Sequence, residues 1–471
     1  EFDKECITTR ARMFDCPQNL REEEMFEVPE WAANKVVYQI FPSRFAATEP
    51  VDKELWYKAP ITPMDDLHGN LRGIIEHMDD IQNLGIDVLY MTPIFQSNSC
   101  HKYDTTDYYQ IDPSFGTTED LKELVQKAHE RGMKVVLDAV YNHTGREFFA
   151  FADILENGEK SKYRDWYFID GFPLKSEWGE IPNFKCFGYY GGMPKLNLKN
   201  PEVEKYITDV ACYWIKECDI DGWRLDVGDE ISHFFWKNFR KAVKAVKKDL
   251  LIIGEIWHYA GDFLEGDEWD TVMIYPFYLN LIDLLADEKI TVSQFVQNLG
   301  YLKGRLHKNC YPLMWNLIDS HDTARFLHLC NDNKKKQHLA AAFQLFLPGM
   351  PMIYYGDEYA MPGANDPDCR RGMYWDEEYQ DKEMYEWYKR LIQVRKSHAC
   401  IVEGELAGSV TEDEEGTIVL IRKNGEETIA MIFNCSSSAK KFNEYTQKYN
   451  LLTENTFDGN VEGFDAAVIV L

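Results

Sequence analysis

No run of about 18 apolar residues occurs in these 471 residues, so no membrane-spanning helix is expected. The chain does not open with a charged segment followed by an apolar one, which reads as no signal peptide. Positive charge is scarce: 51 Lys and Arg stand against 79 Asp and Glu, a formal net charge of −28. Such a surface repels nucleic acid and anionic lipid, so neither is an expected partner. The 11 cysteines show no CxxC or CxxH spacing, which leaves a disulfide framework or a zinc site without support. Their odd number and scatter point to reduced thiols and a cytoplasmic setting. An extracellular location stays open, because the chain starts Glu1-Phe2 without Met. There is no internal repeat and no low-complexity tract.

What is present is an alternation. Strand-like runs fall at 36–41, 88–91, 134–140, 222–227, 250–256, 271–275, 313–319 and 351–355. Helical apolar spacing fills the gaps, as in 71–84, 118–131, 201–217, 231–247 and 382–397. Eight strands separated by helices predict an all-parallel sheet closed into a (β/α)8 barrel. The rhythm breaks between 142 and 199, where Gly, Pro and aromatics are dense, so an inserted B domain is expected after strand 3. After 398 the apolar period becomes two, and Asn424-Gly425 is a hairpin signal, so residues 399–471 read as a C-terminal antiparallel β-sandwich domain. The barrel is then assigned to 31–141 and 200–398, and residues 1–30 to a polar lead-in.

Several of these apolar runs end in a charge. Asp226 closes Gly222-Trp-Arg-Leu-Asp-Val227, Glu255 closes Leu250-Leu-Ile-Ile-Gly-Glu-Ile256, and Asp322 follows Leu313-Met-Trp-Asn-Leu-Ile-Asp-Ser-His321. An unpaired buried carboxylate costs several kcal/mol, so a strand has no structural reason to end in one. In a barrel the C-terminal strand ends converge on one mouth, where chemistry sits. Three convergent carboxylates suit glycosidic cleavage, with a nucleophile, an acid and a group that orients or stabilises. Arg224 and Asp226 are two apart and leave the strand on one face. The pairing should lower the Asp226 pKa and keep it ionised, as a nucleophile requires. Glu255, among Gly254, Ile256, Trp257 and His258, should be raised by an apolar setting, as an acid requires. Each residue also has a plainer reading. Asp138 could hold a loop or pair with Arg224. His143 could be a satisfied loop histidine, Arg224–Asp226 a structural ion pair, and Asp366 with Arg370 a loop clamp. No HxH or HExxH accompanies His321, so metal catalysis is not expected.

Together these segments resemble the α-amylase superfamily of retaining glycoside hydrolases, from about residue 28 to the C-terminus. The motifs that carry the resemblance are Asp138-Ala-Val-Tyr-Asn-His143, Gly222-Trp-Arg-Leu-Asp-Val227, Gly254-Glu-Ile-Trp257 and Ser320-His-Asp322. It implies Asp226 as nucleophile, Glu255 as acid/base, Asp322 as transition-state stabiliser and Arg224 as the group that orients Asp226. It also implies substrate contacts from Tyr103, Asp138, His143, Glu230, Trp257, His321, Asp366 and Arg370. Met193-Pro-Lys-Leu-Asn197, Tyr38-Gln-Ile-Phe-Pro42 and Gly349-Met-Pro-Met-Ile-Tyr-Tyr-Gly-Asp-Glu358 are similar to the neopullulanase and cyclomaltodextrinase branch. That branch acts on cyclodextrins, pullulan and malto-oligosaccharides, and usually carries an N-terminal β domain; residues 1–27 read as its remnant. Monomer and homodimer are both open. No cofactor is expected for the chemistry. Arg44-Phe-Ala-Ala-Thr-Glu-Pro50 lacks the Asn/Asp/Gly run that often binds calcium, so a structural calcium stays unassigned. The alternatives are a transferase or isomerase of the same superfamily, or a non-catalytic carbohydrate-binding protein.

Overall fold

Eight short buried strands pair in chain order and close on themselves: β1 Val37–Ile40, β2 Val88–Met91, β3 Lys134–Ala139, β4 Gly222–Leu225, β5 Leu251–Ile256, β6 Thr271–Ile274, β7 Trp315–Leu317 and β8 Met350–Tyr354. All pairings are parallel, including β1 with β8. The structure, a computed structural model, describes residues 27–175 and 181–471. Most of the 1–30 lead-in therefore lies outside the described residues.

Period two sorts each strand. Val37, Val88, Tyr90, Val136, Leu251, Ile253, Met273, Trp315, Leu317 and Met352 fill the barrel interior. The alternate residues, such as Leu89, Val135, Trp223, Ile252 and Ile353, pack outward against the helices. One step above the apolar interior the same inward face turns polar, with Gln39, Asp138, Arg224 and Glu255, all buried. The outer helices are set by local signals. Thr117 and Asp120 form a capping box on helix Thr118–Glu130, and Asn200 with Pro201 starts helix Pro201–Cys218. Gly132, at φ +72°, ends the first of these helices in the left-handed region.

Two elements differ from expectation. The run 71–84 is two helices, Leu71–Glu76 and Met78–Leu84, broken at His77. The His77 ring stacks on Trp375 at 3.6 Å, so a long-range contact fixes the break. A hairpin, Phe95–Ser97 with Thr105–Ile111, follows β2 and was not anticipated. Among the described residues of 142–199 there is one α-helix, Phe149–Asn157, followed by 3-10 turns and isolated bridges, among them His143↔Lys195. Beyond the barrel, strands β9 Glu405–Glu412, β10 Thr417–Asn424, β11 Glu427–Asn434 and β12 Asp465–Val470 dominate a six-stranded antiparallel sheet. A separate two-stranded ribbon pairs Lys440–Lys441 with Asn460–Val461.

Among the described residues no helix is long and apolar enough to cross a membrane. No group of three or more metal-ligating side chains is found among them either. Their nine cysteines are free thiols.

Candidate active site

Arg224 is the hub of the mouth. Its side chain is fully buried, and four carboxyl groups reach it. Nη1 donates to Asp226 Oδ1 at 2.9 Å and to both oxygens of Asp138 at 3.1 Å. Nη2 lies 2.9 Å from Glu255 Oε2 and 3.9 Å from Asp322 Oδ2. Strand register produces this directly. Asp138 on β3 is level with Arg224 on β4, and Glu255 stands two residues beyond Ile253, the partner of Arg224 on β5. Asp322 sits five residues past the end of β7, on the turn that leaves the strand.

One cation among four carboxyls makes the site proton-hungry. Burial pushes the Asp226 carboxyl well above the ordinary range, and the charges of Glu255, Asp138 and Asp322 add to it; Arg224 pulls the other way and does not win. The expectation that Arg224 keeps Asp226 low is therefore corrected. Desolvation and three neighbouring carboxyls outweigh the guanidinium. Burial likewise raises Asp138 to about 6, against Arg224 and the Tyr90 hydroxyl. The surroundings of Glu255 are also not the apolar ones expected. It accepts N–H from Val227 at 2.9 Å and from Trp257 Nε1 at 3.1 Å, besides the Arg224 contact. Val227 presents that N–H from a left-handed backbone, φ +47°. Gly254 is needed beside Glu255, because a Cβ there would meet Trp269 at 2.2 Å.

Above the hub opens a cleft of about 350 Å³, lined by Asp226, Glu255, Asp322, Tyr103, His143, Trp257, Asp366 and Arg370, all anticipated. His101, Phe187, Met193 and Val227 also line it and were not. Asp138, Arg224 and His321 do not line it; they are sealed beneath the surface and act on the groups above. The Tyr103 hydroxyl donates to Asp138 at 3.0 Å and meets His321 Nε2 at 2.5 Å. Gln39 Nε2 lies 2.7 Å from His321 Nδ1, which makes Nδ1 the acceptor and leaves the proton on Nε2. Burial, with Arg370 and Arg224 nearby, holds His321 well below its usual pKa, so the ring is neutral. Burial lowers His143 to about 3. His143 Nε2 reaches the Tyr103 carbonyl at 3.1 Å, and its ring stacks on Phe187 at 5.1 Å.

Two pairs flank the centre. Arg370 meets Asp366 at 2.8 Å and donates from Nε to the His321 carbonyl at 2.8 Å. It also lies 3.6 Å from Asp322. Glu230 does not line the cleft; its Oε2 takes Lys195 Nζ at 2.7 Å and Asn142 Nδ2 at 3.2 Å. Lys195 comes from the inserted segment, and sequence spacing offered no sign of its partner. Trp257 stacks on Tyr275 at 3.8 Å and remains partly exposed at the rim.

A nucleophile, a proton donor and a third carboxyl around one cleft can perform substitution at an acetal carbon. The comparisons with known proteins agree. The family "Alpha amylase, catalytic domain" matches residues 39–404. The cyclomaltodextrinase of Geobacillus thermopakistaniensis (strain MAS1) is 46% identical over 442 residues, covering 93% of this chain and 75% of that one. Neopullulanase 2 of Thermoactinomyces vulgaris is 42% identical over 421 residues, covering 88% and 72%. Among solved structures, the cyclic alpha-maltosyl-(1→6)-maltose hydrolase from Arthrobacter globiformis superimposes with a TM-score of 0.86 at 36% identity, covering 94% of this chain and all of that one. The chain therefore belongs to the α-amylase catalytic domain family and is a glycoside hydrolase of that family.

Proposed function

We propose that this chain is a retaining α-glucan hydrolase that cleaves α-1,4-glucosidic bonds in starch-derived oligosaccharides, cyclodextrin or pullulan. The observation that carries the reading is the convergence of Asp226, Glu255 and Asp322 on Arg224 at the floor of one cleft. Asp226 attacks the anomeric carbon while Glu255 protonates the departing oxygen, giving a glycosyl ester on Asp226. Glu255 then takes a proton from water, which cleaves the ester and restores the starting configuration. Asp322 faces the ring that carries developing charge, and the neutral His321 beneath it holds the Tyr103 hydroxyl through Nε2. The step uses Asp226 as the carboxylate, held by Arg224 Nη1 at 2.9 Å, so the proton that burial favours on Asp226 leaves it before the attack. A nucleophile, an acid/base and a stabilising carboxylate suffice, so the reading needs no cofactor. The free thiols support a reducing compartment.

A second reading concerns linkage. The Arthrobacter hydrolase is matched over its whole length, and its name records a cyclic substrate with (1→6) bonds. Cyclic glucans with mixed linkages are therefore candidate substrates too. One experiment separates these cases: soluble starch, pullulan, β-cyclodextrin and cyclic maltosyl-maltose are incubated side by side and the products resolved by chromatography. Panose from pullulan with opened cyclodextrin supports the first reading. Exclusive opening of cyclic maltosyl-maltose supports the second. Longer oligosaccharides from concentrated maltotriose would make transfer the main reaction. No released reducing sugar from any of them would sink the hydrolase reading.

A further inference from the structure

Asp319 and Asp357 are 38 residues apart and lie in no part of the cleft, yet their side chains interact across the seam between two loops. Each is about 1% exposed. Asp319 Oδ2 accepts the Phe326 N–H at 2.7 Å, and Asp357 Oδ1 pairs with Arg325 Nη1 at 3.0 Å. The other two oxygens, Asp319 Oδ1 and Asp357 Oδ2, are buried and find no donor. Two carboxylate oxygens cannot satisfy each other, since both only accept; a carboxylic acid and a carboxylate can. We propose that Asp319 and Asp357 share a single proton, and that this pair clamps the turn that places Asp322 in the cleft.

The clamp joins the two loops that build one side of the site. Asp319 stands two residues past β7, and the turn it opens carries His321 and Asp322. That turn is tied internally by Asp322 N–H to Ser320 Oγ at 3.2 Å and by Ser320 N–H to Thr323 Oγ1 at 3.0 Å. Asp357 stands in the loop after β8 that goes on to Asp366 and Arg370. Arg325 fastens the same seam, donating to the Cys369 carbonyl at 3.1 Å and the Tyr355 carbonyl at 2.8 Å. Without the shared proton, two charged carboxylates would face each other across this seam with one guanidinium between them, and the seam would open. Asp319 and Asp357 touch no substrate; they are positioning residues, and their role rests on the proposed use of Asp322.

The groups that face the pair are few. Arg325 is its cation, and the rings of Tyr354 and Tyr355 lie 4.3 and 5.2 Å from that guanidinium. Tyr278 and Tyr388 approach from the flanking helices. Glu358 is the other carboxyl; it takes the Tyr38 hydroxyl at 2.6 Å and the Gly356 N–H at 2.9 Å, and burial raises it to about 7. Burial raises both members of the pair. A carboxyl that holds its proton more tightly when folded contributes stability at low pH and loses it as pH rises above the unfolded value of about 4.

The test is Asp319→Asn, whose amide donates permanently where the proton is lost with pH. The turnover of α-maltosyl fluoride, whose leaving group needs no proton donor, is followed from about pH 5 to 10 together with the melting temperature. In the wild type, the melting temperature falls as pH rises above about 4, and kcat falls as the shared proton is lost. In the variant the upper limb of the kcat profile moves to higher pH, and the melting temperature loses its downward slope above about pH 4. Asp357→Asn places an amide in the same contact and gives the same two shifts if the first variant does not fold. A variant that melts lower by the same amount at every pH, with an unmoved limb, overturns the proposal. A flattened melting slope with an unmoved limb overturns the placing of Asp322. A wild type inert towards the fluoride and every α-glucan would sink the hydrolase reading instead, and the melting slopes would still decide the shared proton.

Discussion

The two ends of this barrel treat carboxylates in opposite ways. At the floor, Asp87, Asp221 and Asp270 stand just before β2, β4 and β6, and each closes onto the strand before it. They accept the N–H of Val36, Val135 and Ile252 at 2.9, 3.0 and 2.9 Å. Each also has its own cations: Lys396 for Asp87, Lys134 and Lys247 for Asp221, and Arg240 and Lys244 for Asp270. At the mouth, four carboxyls lie within 3.9 Å of Arg224. The electrostatics follow the count. Hydrogen bonds and Lys247 hold the Asp221 carboxyl far below the ordinary range in spite of its burial, whereas burial and like charge hold Asp226 far above it. Charge at the floor stabilises the fold. Charge at the mouth is kept under strain, and the proposed reaction would use it.

The largest break in this comparison comes from Asp226→Asn. Turnover of maltotriose falls by about 10⁴-fold or more, while oligosaccharide binding persists. Glu255→Gln follows, with a loss of about 10²- to 10⁴-fold for ordinary glucans. Activity on α-maltosyl fluoride falls far less at the first step, because no proton is needed there. Asp221→Asn does the reverse: it leaves the Val135 N–H, His129, Lys134 and Lys247 facing a neutral amide, destabilises by about 3 kcal/mol, and leaves kcat unchanged. The floor and mouth also respond oppositely to acid. The lowered Asp221 contributes stability above the unfolded value of about 4, and that contribution is lost as pH falls toward its folded value. Asp138, raised to about 6, disfavours the folded state as pH climbs from about 4 to 6, and Asp138→Asn removes that slope in a melting series. The smallest effect is at the rim. Lys195 and Glu230 are partly exposed, so Lys195→Met changes kcat/KM by about fivefold at most.

Much of this barrel was legible because a buried parallel strand leaves an apolar run that little else in a sequence imitates. The mouth carboxylates were legible for the complementary reason: they interrupt or follow those runs where a charge is costly. What could not be read were contacts made across the chain. Lys195 reaches Glu230 over 35 residues, and Gln39 reaches His321 over 282. No local pattern marks such pairs. The direction of the Asp226 shift was missed for the same reason. Arg224 is two residues away in sequence, while Asp138, Glu255 and Asp322 become neighbours only when the barrel closes. The break at His77 belongs here too, because its cause, Trp375, is nearly 300 residues on.

The opposition between floor and mouth is tested most directly by melting Asp226→Asn and Asp221→Asn beside the wild type at neutral pH, with kcat measured on each. The account predicts a crossing. Asp226→Asn loses turnover and melts at or above the wild-type temperature, because one buried charge in a crowded cluster is gone. Asp221→Asn keeps turnover and melts well below it. A mouth variant that melts as low as the floor variant would contradict the account, since Asp226 would then be a structural ion-pair partner of Arg224 and not a charge held there for chemistry.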